Sequence, residues 1–416
     1  MKKKHIYFSL TLLLFLSCTR FSETLTEDFL SSNELTISDF NTEMPVVNIE
    51  VNQEEFDNMY SNFLDDIEIE AFLNLYRNNT LLIEDELIEI EVKGSYSANF
   101  ELKSLGVKFD DSFDNESRSL LNPKFIFPNH SLDEIKAFRL RNSGNDFKET
   151  MLKDISYTQL AIEAGLDIDL TYYEPAIVFI NNTFLGIMNI RSEANTNGVS
   201  RLNDAKKKDI TLAKINFPGE IENKDGDFER IGNFLNAIEE ENISYLKQEV
   251  DINNFIDYMI FQSYIANSDW PYNNVRFYAV NDRPFRFVIF DLDLANDKSF
   301  KKSPLDYIRE PIHPSEKEPI KNPITDLFNV LYNDTDFKIQ FDTRFQELIA
   351  NEAFSSERFS TIIDTNFAVI DQYMPFHIDK YSEISTIFEW YKNLDLLKEN
   401  FKEREDYIKS VNPLFE

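Results

Sequence analysis

Glycine and cysteine are nearly absent: nine glycines and a single cysteine, Cys18, in 416 residues. One cysteine cannot close an intramolecular disulfide. So few glycines argue against internal repeats, glycine linkers and a glycine-rich nucleotide loop. Histidine is scarce too, and His5, His130, His313 and His377 are scattered, so no zinc site can be argued from them. Positive charge is the largest deficit, with 42 Lys and Arg against 74 Asp and Glu, a formal net charge of -32. Such a chain repels nucleic-acid backbones and anionic surfaces and would attract a basic partner, although a solubilising surface is the simpler account. Phenylalanine, in contrast, is abundant at 38 residues, within a composition that is 42% hydrophobic and 14% aromatic. That supports a large core, in one big domain or two lobes.

Residues 1–17 join a basic start to an apolar run and a small residue before Cys18. This is the pattern of a secretory signal, too short for a spanning helix. The Phe-Leu-Ser-Cys stretch resembles a bacterial lipoprotein box, with Phe15 where Leu is usual, and makes Cys18 the lipidated first residue. An ordinary signal with an incidental cysteine is the alternative. Residues 18–44 are polar and read as a flexible tether, with the folded part starting at Pro45. The expected location is the cell envelope, on its periplasmic or surface side, with the lipid as the only membrane attachment.

Beyond Pro45, residues 46–51 alternate as a strand, and Asn52 is placed to cap a helix. Residues 87–93 and 102–109 read as strands around the turn Gly94-Ser95-Tyr96-Ser97. The strand around Phe138 to Arg141 puts Arg139 and Arg141 on one face, in reach of phosphates or of acidic loops. A helix over 153–164 ends at Gly165, and residues 174–195 form a hairpin around Asn181-Asn182. Residues 200–250 are charged and mixed, with a helix over 228–240, and residues 298–323 are a proline-rich loop. The remainder, 325–349, 356–374 and 387–411, is helical and suggests support rather than chemistry.

The stretch 251–297 organises the rest: a helix capped by Asn253 and stopping around Asn267, then strands at 275–278 and 285–290 joined by Asn281 to Pro284. Polar residues stand at its joints, with Asp269 after the helix, Asn274 opening the first strand, and Asp291 and Asp293 closing the second. Phosphoryl transfer to a hydroxyl needs one carboxylate beside that hydroxyl, and an Asn and another Asp to hold magnesium against the phosphates. Asn274 follows Asp269 by five positions, the separation of base and metal-binding Asn in the protein-kinase catalytic loop. An acidic loop beside a surface hairpin reads the same residues without chemistry.

Asn-Ser-Asp-Trp-Pro-Tyr-Asn-Asn-Val-Arg-Phe-Tyr-Ala-Val, followed by Phe-Arg-Phe-Val-Ile-Phe-Asp-Leu-Asp-Leu-Ala, resembles the CotH kinase family, atypical kinases first known from spore coats. The likeness extends to Gly94-Ser95-Tyr96-Ser97 and Lys103-Ser104, which match in part. It also covers Arg141, Asn142, Gly144, Asn145 and Asp146, with Lys153-Asp154 where the family has Arg-Asp, and Glu193. The glycine usual after the family's Asp-Leu-Asp is missing. The resemblance implies an α+β, divergent protein-kinase-like fold spanning 45–416. Its sheet-rich N-terminal part (45–200) would supply Lys103 and Glu193, and its mainly helical part (201–416) would carry the catalytic hairpin. It implies ATP and Mg2+ or Mn2+, with Ser or Thr of a protein, basic if charge selects it, as acceptor. Asp269 would orient or deprotonate the hydroxyl, and Asn274 and Asp291 would hold the metal with help from Asp293. Lys103 would meet the phosphates, with Lys93 and Lys108 as competitors, Glu193 orienting the lysine and Arg141 reaching the nucleotide.

A lipoprotein leaves the ATP-rich cytoplasm, so the second reading is a non-catalytic kinase-like surface lipoprotein that binds a basic protein or a glycan. A metal-dependent phosphoesterase ranks last, because it calls for paired metals and no histidine lies near the Asp cluster.

Overall fold

The alternating patterns of the N-terminal part close on themselves. In the computed structural model, which describes residues 31–32, 34–109, 119–121, 123–128, 132–296, 301–309 and 322–411, they build a barrel. The chain runs through β1 (Val46–Val51), β2 (Glu68–Arg77), β3 (Thr80–Lys93) and β4 (Ser104–Lys108). A short pair, β5 (Leu120–Leu121) and β6 (Glu134–Ile135), precedes β7 (Ala137–Arg141). After β8 (Asp169–Leu170), the hairpin β9 (Tyr173–Ile180) and β10 (Thr183–Arg191) completes the wall, in the order β1-β2-β3-β4-β7-β10-β9. β9 runs parallel to β1, with Val46 opposite Ile177 and Ile49 opposite Ile180, and this pairing leaves the barrel no open edge. The hairpin turns at Asn181 and Asn182, at φ of 50° and 62°, left-handed values that Asn tolerates.

A second sheet has the order β12-β11-β13-β14-β8, from β11 (Ile210–Asn216), β12 (Glu220–Asp225), β13 (Val275–Val280) and β14 (Arg286–Ile289) with β8. β13 and β14 stand where the sequence places them. The hairpin β11–β12 is an addition within 200–250, where exposed Glu and Lys on β12 hide the alternation.

Helix α1 (Lys153–Glu163) ends, as expected, before a left-handed Gly165. Helix α2 (Ile252–Tyr264) lies under β14, with Phe255 and Tyr258 ring centroids 5.0 and 5.1 Å from Phe287. Its cap is Asp251, not Asn253: the Asp251 side chain accepts the Asn254 N–H. Helices α3 (Ser356–Ile370) and α4 (Ile387–Val411) pack beneath, Phe359 stacking on Phe401 at 4.1 Å. From α4, the buried Arg404 donates to the carbonyls of Tyr264 (3.0 Å) and Ser263 (2.9 Å), placing a cation where the last turn of α2 lacks partners. The α+β class, sheet-rich and then helical, is as read from sequence.

Three expectations change. The tether does not reach residue 44: Leu35, Phe40 and Met44 are buried, and Phe40 packs on Phe179 and Phe184. Apolar residues spaced among polar ones let this segment bury a few anchors, which average composition conceals. The proline-rich stretch contains a helix, Pro304–Arg309. The span 325–349 is two helices, broken at Asp334, which caps the second by accepting the Phe337 N–H. The signal (1–17) and Cys18 lie outside the described residues. Among those residues no helix is long and apolar enough to cross a membrane.

His377 makes one joint testable. It is buried, and its Nδ1 accepts the Ile187 N–H of β10 at 3.1 Å. Burial, with a smaller effect from Lys380, pushes its pKa down to about 3. Below pH 6.5 the unfolded chain therefore takes up a proton that the folded one refuses. Stability falls as pH drops from 6.5 towards 3, by about 1.4 kcal/mol per pH unit. His377→Gln, which retains an acceptor for Ile187, is expected to flatten this dependence in thermal melts between pH 7 and 5. An unchanged slope would assign the acid sensitivity elsewhere.

Candidate active site

The barrel and the second sheet meet around a polar cavity of about 490 Å³. Its walls come from the Gly94 to Ser97 turn, Arg139 and Arg141 of β7, the end of β11, and both polar joints of the 251–297 stretch.

On one wall, the carboxylate of Asp269 accepts hydrogen bonds from Asn273 Nδ2 (2.8 Å) and Asn274 Nδ2 (2.7 Å). The five-residue spacing thus folds into a direct contact. Asn274 sits at φ 56° and Asp291 at φ 58°, left-handed backbone at two of the three residues proposed from sequence to face a metal. Asn and Asp adopt it at less cost than other side chains.

Asp291 and Asp293 line the same cavity, and one guanidinium group joins them. Arg141 Nη2 donates to Asp291 and, at 2.9 Å, to Asp293 Oδ2. Arg141 Nε also lies 3.5 Å from Asp154 Oδ2 on α1. Burial alone would lower the pKa of Arg141, but the charges of Asp291, Asp293 and Asp154 outweigh it and hold the pKa above its ordinary value. Asp293 is only 2% exposed. Burial, and then repulsion from Asp291, push its carboxyl well above the usual range, against the pull of Arg141 and the Asn145 N–H. Asp154 goes the other way: burial raises it, but Arg191, Arg141 and the Leu292 N–H together bring it below the usual range. Through that 3.0 Å bond from Leu292, α1 pins the backbone between the two site aspartates.

The segment 141–154 explains why its sequence is so particular. Asn142 donates to the Leu102 carbonyl at 2.7 Å, and Asp146 accepts from Thr150 N and Lys153 N, so both are structural. Asn145 presents its N–H to Asp293 at 2.8 Å. Gly144, at φ 61°, lies so close to Asp293 that a Cβ would fall 1.9 Å from Oδ2.

Lys103 does not join the site, which corrects the expectation for it. The residue is 8% exposed, and its ammonium group donates to the carbonyls of Ala98 (2.6 Å) and Phe100 (2.9 Å), over the ring of Phe63 at 4.4 Å. It satisfies the tight turn before β4, a nearer set of acceptors than the cavity. Lys93 pairs with Glu91, and Lys108 with Glu68 and Glu91. Glu193 therefore does not orient Lys103; it accepts from Arg139 Nε at 3.1 Å. Asn145, Asn273, Lys214 and Arg276 also line the cavity. Asn145 belongs to the family likeness and Asn273 and Arg276 lie inside the motif at 267–280, but the spacing of these residues alone assigns them no role.

The oxygen donors Asp291, Asp293 and Asn274 suit a hard cation such as Mg2+. Arg141 occupies the position between the carboxylates as a positive charge, and Asp293 is held in a state that a cation would relieve; on both counts the residues fit the metal. Among the described residues no group of three His, Cys, Asp or Glu could hold a metal ion. Mg2+ usually uses one or two carboxylates and takes its other ligands from phosphates and water.

No curated protein matches the chain. The family model described as CotH kinase protein matches residues 90–408, more than half of the chain, from β3 to the last turns of α4. With a polar cavity framed by the family's Asp-Leu-Asp hairpin and a match over this span, the chain belongs to the CotH kinase family.

Proposed function

We propose that the protein is a metal-dependent protein kinase that moves the γ-phosphoryl group of ATP to a Ser or Thr hydroxyl. The observation that carries this reading is that one cavity of nucleotide-accommodating size is lined both by Asp269, held by Asn273 and Asn274, and by the Asp291–Asp293 pair. The hydroxyl oxygen attacks the γ-phosphorus, the bond to the β–γ bridging oxygen breaks, ADP leaves, and the hydroxyl proton passes to Asp269. Asn273 and Asn274 fix the Asp269 carboxylate so that one lone pair faces the acceptor. Asn274, Asp291 and Asp293 would hold Mg2+ or Mn2+, which supplies neutralisation of charge on the phosphate oxygens. Arg141 and Arg139 face the phosphates, with Glu193 positioning Arg139. No covalent enzyme intermediate is required, which agrees with a site without cysteine.

The proposed setting is the cell envelope, with the lipid on Cys18 as the anchor and a basic protein as the acceptor suited to a charge of -32. The purified chain, given γ-labelled ATP, Mg2+ or Mn2+ and a basic Ser-rich protein, is expected to transfer label, and EDTA to stop it. Absence of transfer, together with no metal-dependent ATP binding by calorimetry, would leave a kinase-shaped surface protein that binds a partner without chemistry.

A further inference from the structure

Beside the large cavity, and sharing Arg139, Arg141, Arg276, Phe290 and Asp291 with it, lies a small one of about 40 Å³. Four arginines line it: Arg139, Arg141, Arg191 and Arg276. In a chain with far more carboxylates than basic groups, each of these could be expected to be neutralised. Two are not. The Arg276 side chain makes neither a hydrogen bond nor an ion pair with any described residue; its guanidinium lies 4.6 Å over the ring of Phe290. Arg191 is 4% exposed, and its Nη2 is bonded to Thr171 at 2.6 Å, but its buried Nη1 has no partner.

The carboxylates nearby are already engaged: Glu193 with Arg139, Asp154 with Arg141 and Arg191, and Asp291 with Arg141. The strand register adds to the imbalance, since Arg276 of β13 stands directly opposite Lys214 of β11. Like charges in that position destabilise a sheet; Lys214 is compensated by Glu222 of β12 at 3.1 Å, which leaves Arg276 as the cation of the pair without a carboxylate bonded to it. Burial, reinforced by Arg139, pushes Arg276 down to about 10, against smaller pulls from Glu193 and Asp291, neither of which bonds to it.

We propose that this small cavity is an oxyanion pocket that takes one phosphoryl group, held by Arg276, Arg139 and the unpartnered Nη1 of Arg191. The planar guanidinium fork matches tetrahedral oxyanions, and the volume admits a few water-sized atoms and not a nucleotide. The choice of phosphate as the anion rests on the kinase reading; the pocket does not. The group could arrive as part of the nucleotide or as a separate phosphate, free or on an ester.

Titration calorimetry in EDTA-containing buffer, with inorganic phosphate as the probe, tests this on the full chain. One phosphate is expected to bind, and Arg276→Gln to weaken it by about 10- to 100-fold, the loss of one charge-assisted contact. Arg276→Lys retains the charge and is expected to lose less. Equal melting of wild type and both variants shows that the fold is intact. Asp291→Asn removes a negative charge from the rim and is expected to bind phosphate at least as tightly, while it loses metal-dependent ATP binding. The pocket and the kinase reading can therefore fail separately. ADP added without metal tells the two sources apart. Competition with phosphate means that the nucleotide fills the pocket, and simultaneous binding means that a separate phosphate does; both support it. Absence of phosphate binding in the wild type, or unchanged binding in Arg276→Gln, would overturn the proposal.

Discussion

Asp269→Asn is expected to lower kcat for phosphoryl transfer by about 10²–10⁴, with the KM for ATP nearly unchanged. Asn preserves the shape of the Asp269 side chain, and its amide oxygen can take the place of Oδ2, which accepts from both Asn273 and Asn274. It cannot accept the hydroxyl proton, and removing a general base typically costs a factor of that size. An interaction made only in the transition state is lost from kcat and kcat/KM alike. Asp291→Ala should behave differently, raising the KM for the metal nucleotide as well as lowering kcat, because its proposed work starts in the bound complex. Steady-state kinetics of both variants, beside their metal-dependent ATP binding, separates the two roles. If Asp269→Asn keeps the wild-type kcat, Asp269 is not the base.

Arg141→Met is expected to destabilise the fold by about 3–5 kcal/mol, the range found when one partner of a buried ion pair is removed. Met fills similar space without charge. It would leave Asp293, Asp291 and Asp154 facing one another with Arg191 as the remaining cation on Asp154. The pH dependence has a definite sign. Asp293 in the folded state holds its proton above the ordinary 3.8, so its contribution favours folding at low pH and is lost as pH rises from 3.8 through the raised folded value. Arg141 opposes that rise, so without it the window widens. Arg141→Met should therefore recover part of its loss on going from pH 7 to 5, measured against wild type at each pH because His377 pulls the other way. The double variant Arg141→Met, Asp293→Asn should recover much of the loss at neutral pH, since it removes the stranded charge. Wild-type melting in Arg141→Met, or a further loss on adding Asp293→Asn, would show that Arg141 does not neutralise this cluster.

Local spacing was the part of the site that could be read early. Asp269 and Asn274 are five positions apart and meet through a turn, and Asp291 and Asp293 follow directly on β14. Contacts of that kind depend on a few dihedral angles between near neighbours. The cations were another matter. Lys103 was a reasonable candidate for meeting phosphates, being a lysine at the head of an early strand. Its reach was decided by two carbonyls three and five residues away. Arg139 and Glu193 are separated by 54 positions and meet because β7 pairs with β10, Arg139 standing opposite Arg191. The Lys214–Arg276 juxtaposition depends on β11, which the charged surroundings of its hairpin concealed.

Legible in the sequence were the strands of the 251–297 stretch, the left-handed Asn turn of β9–β10, the helix end at Gly165 and the family likeness that implies an α+β fold, because period, turn chemistry and motif are local properties. Tertiary structure alone decided which cations face the cavity, that the barrel closes through β1 and β9, and that Arg141 binds three aspartates at once. Each of these depends on strand neighbours distant in the chain, and on which buried charges find a partner once water has been excluded.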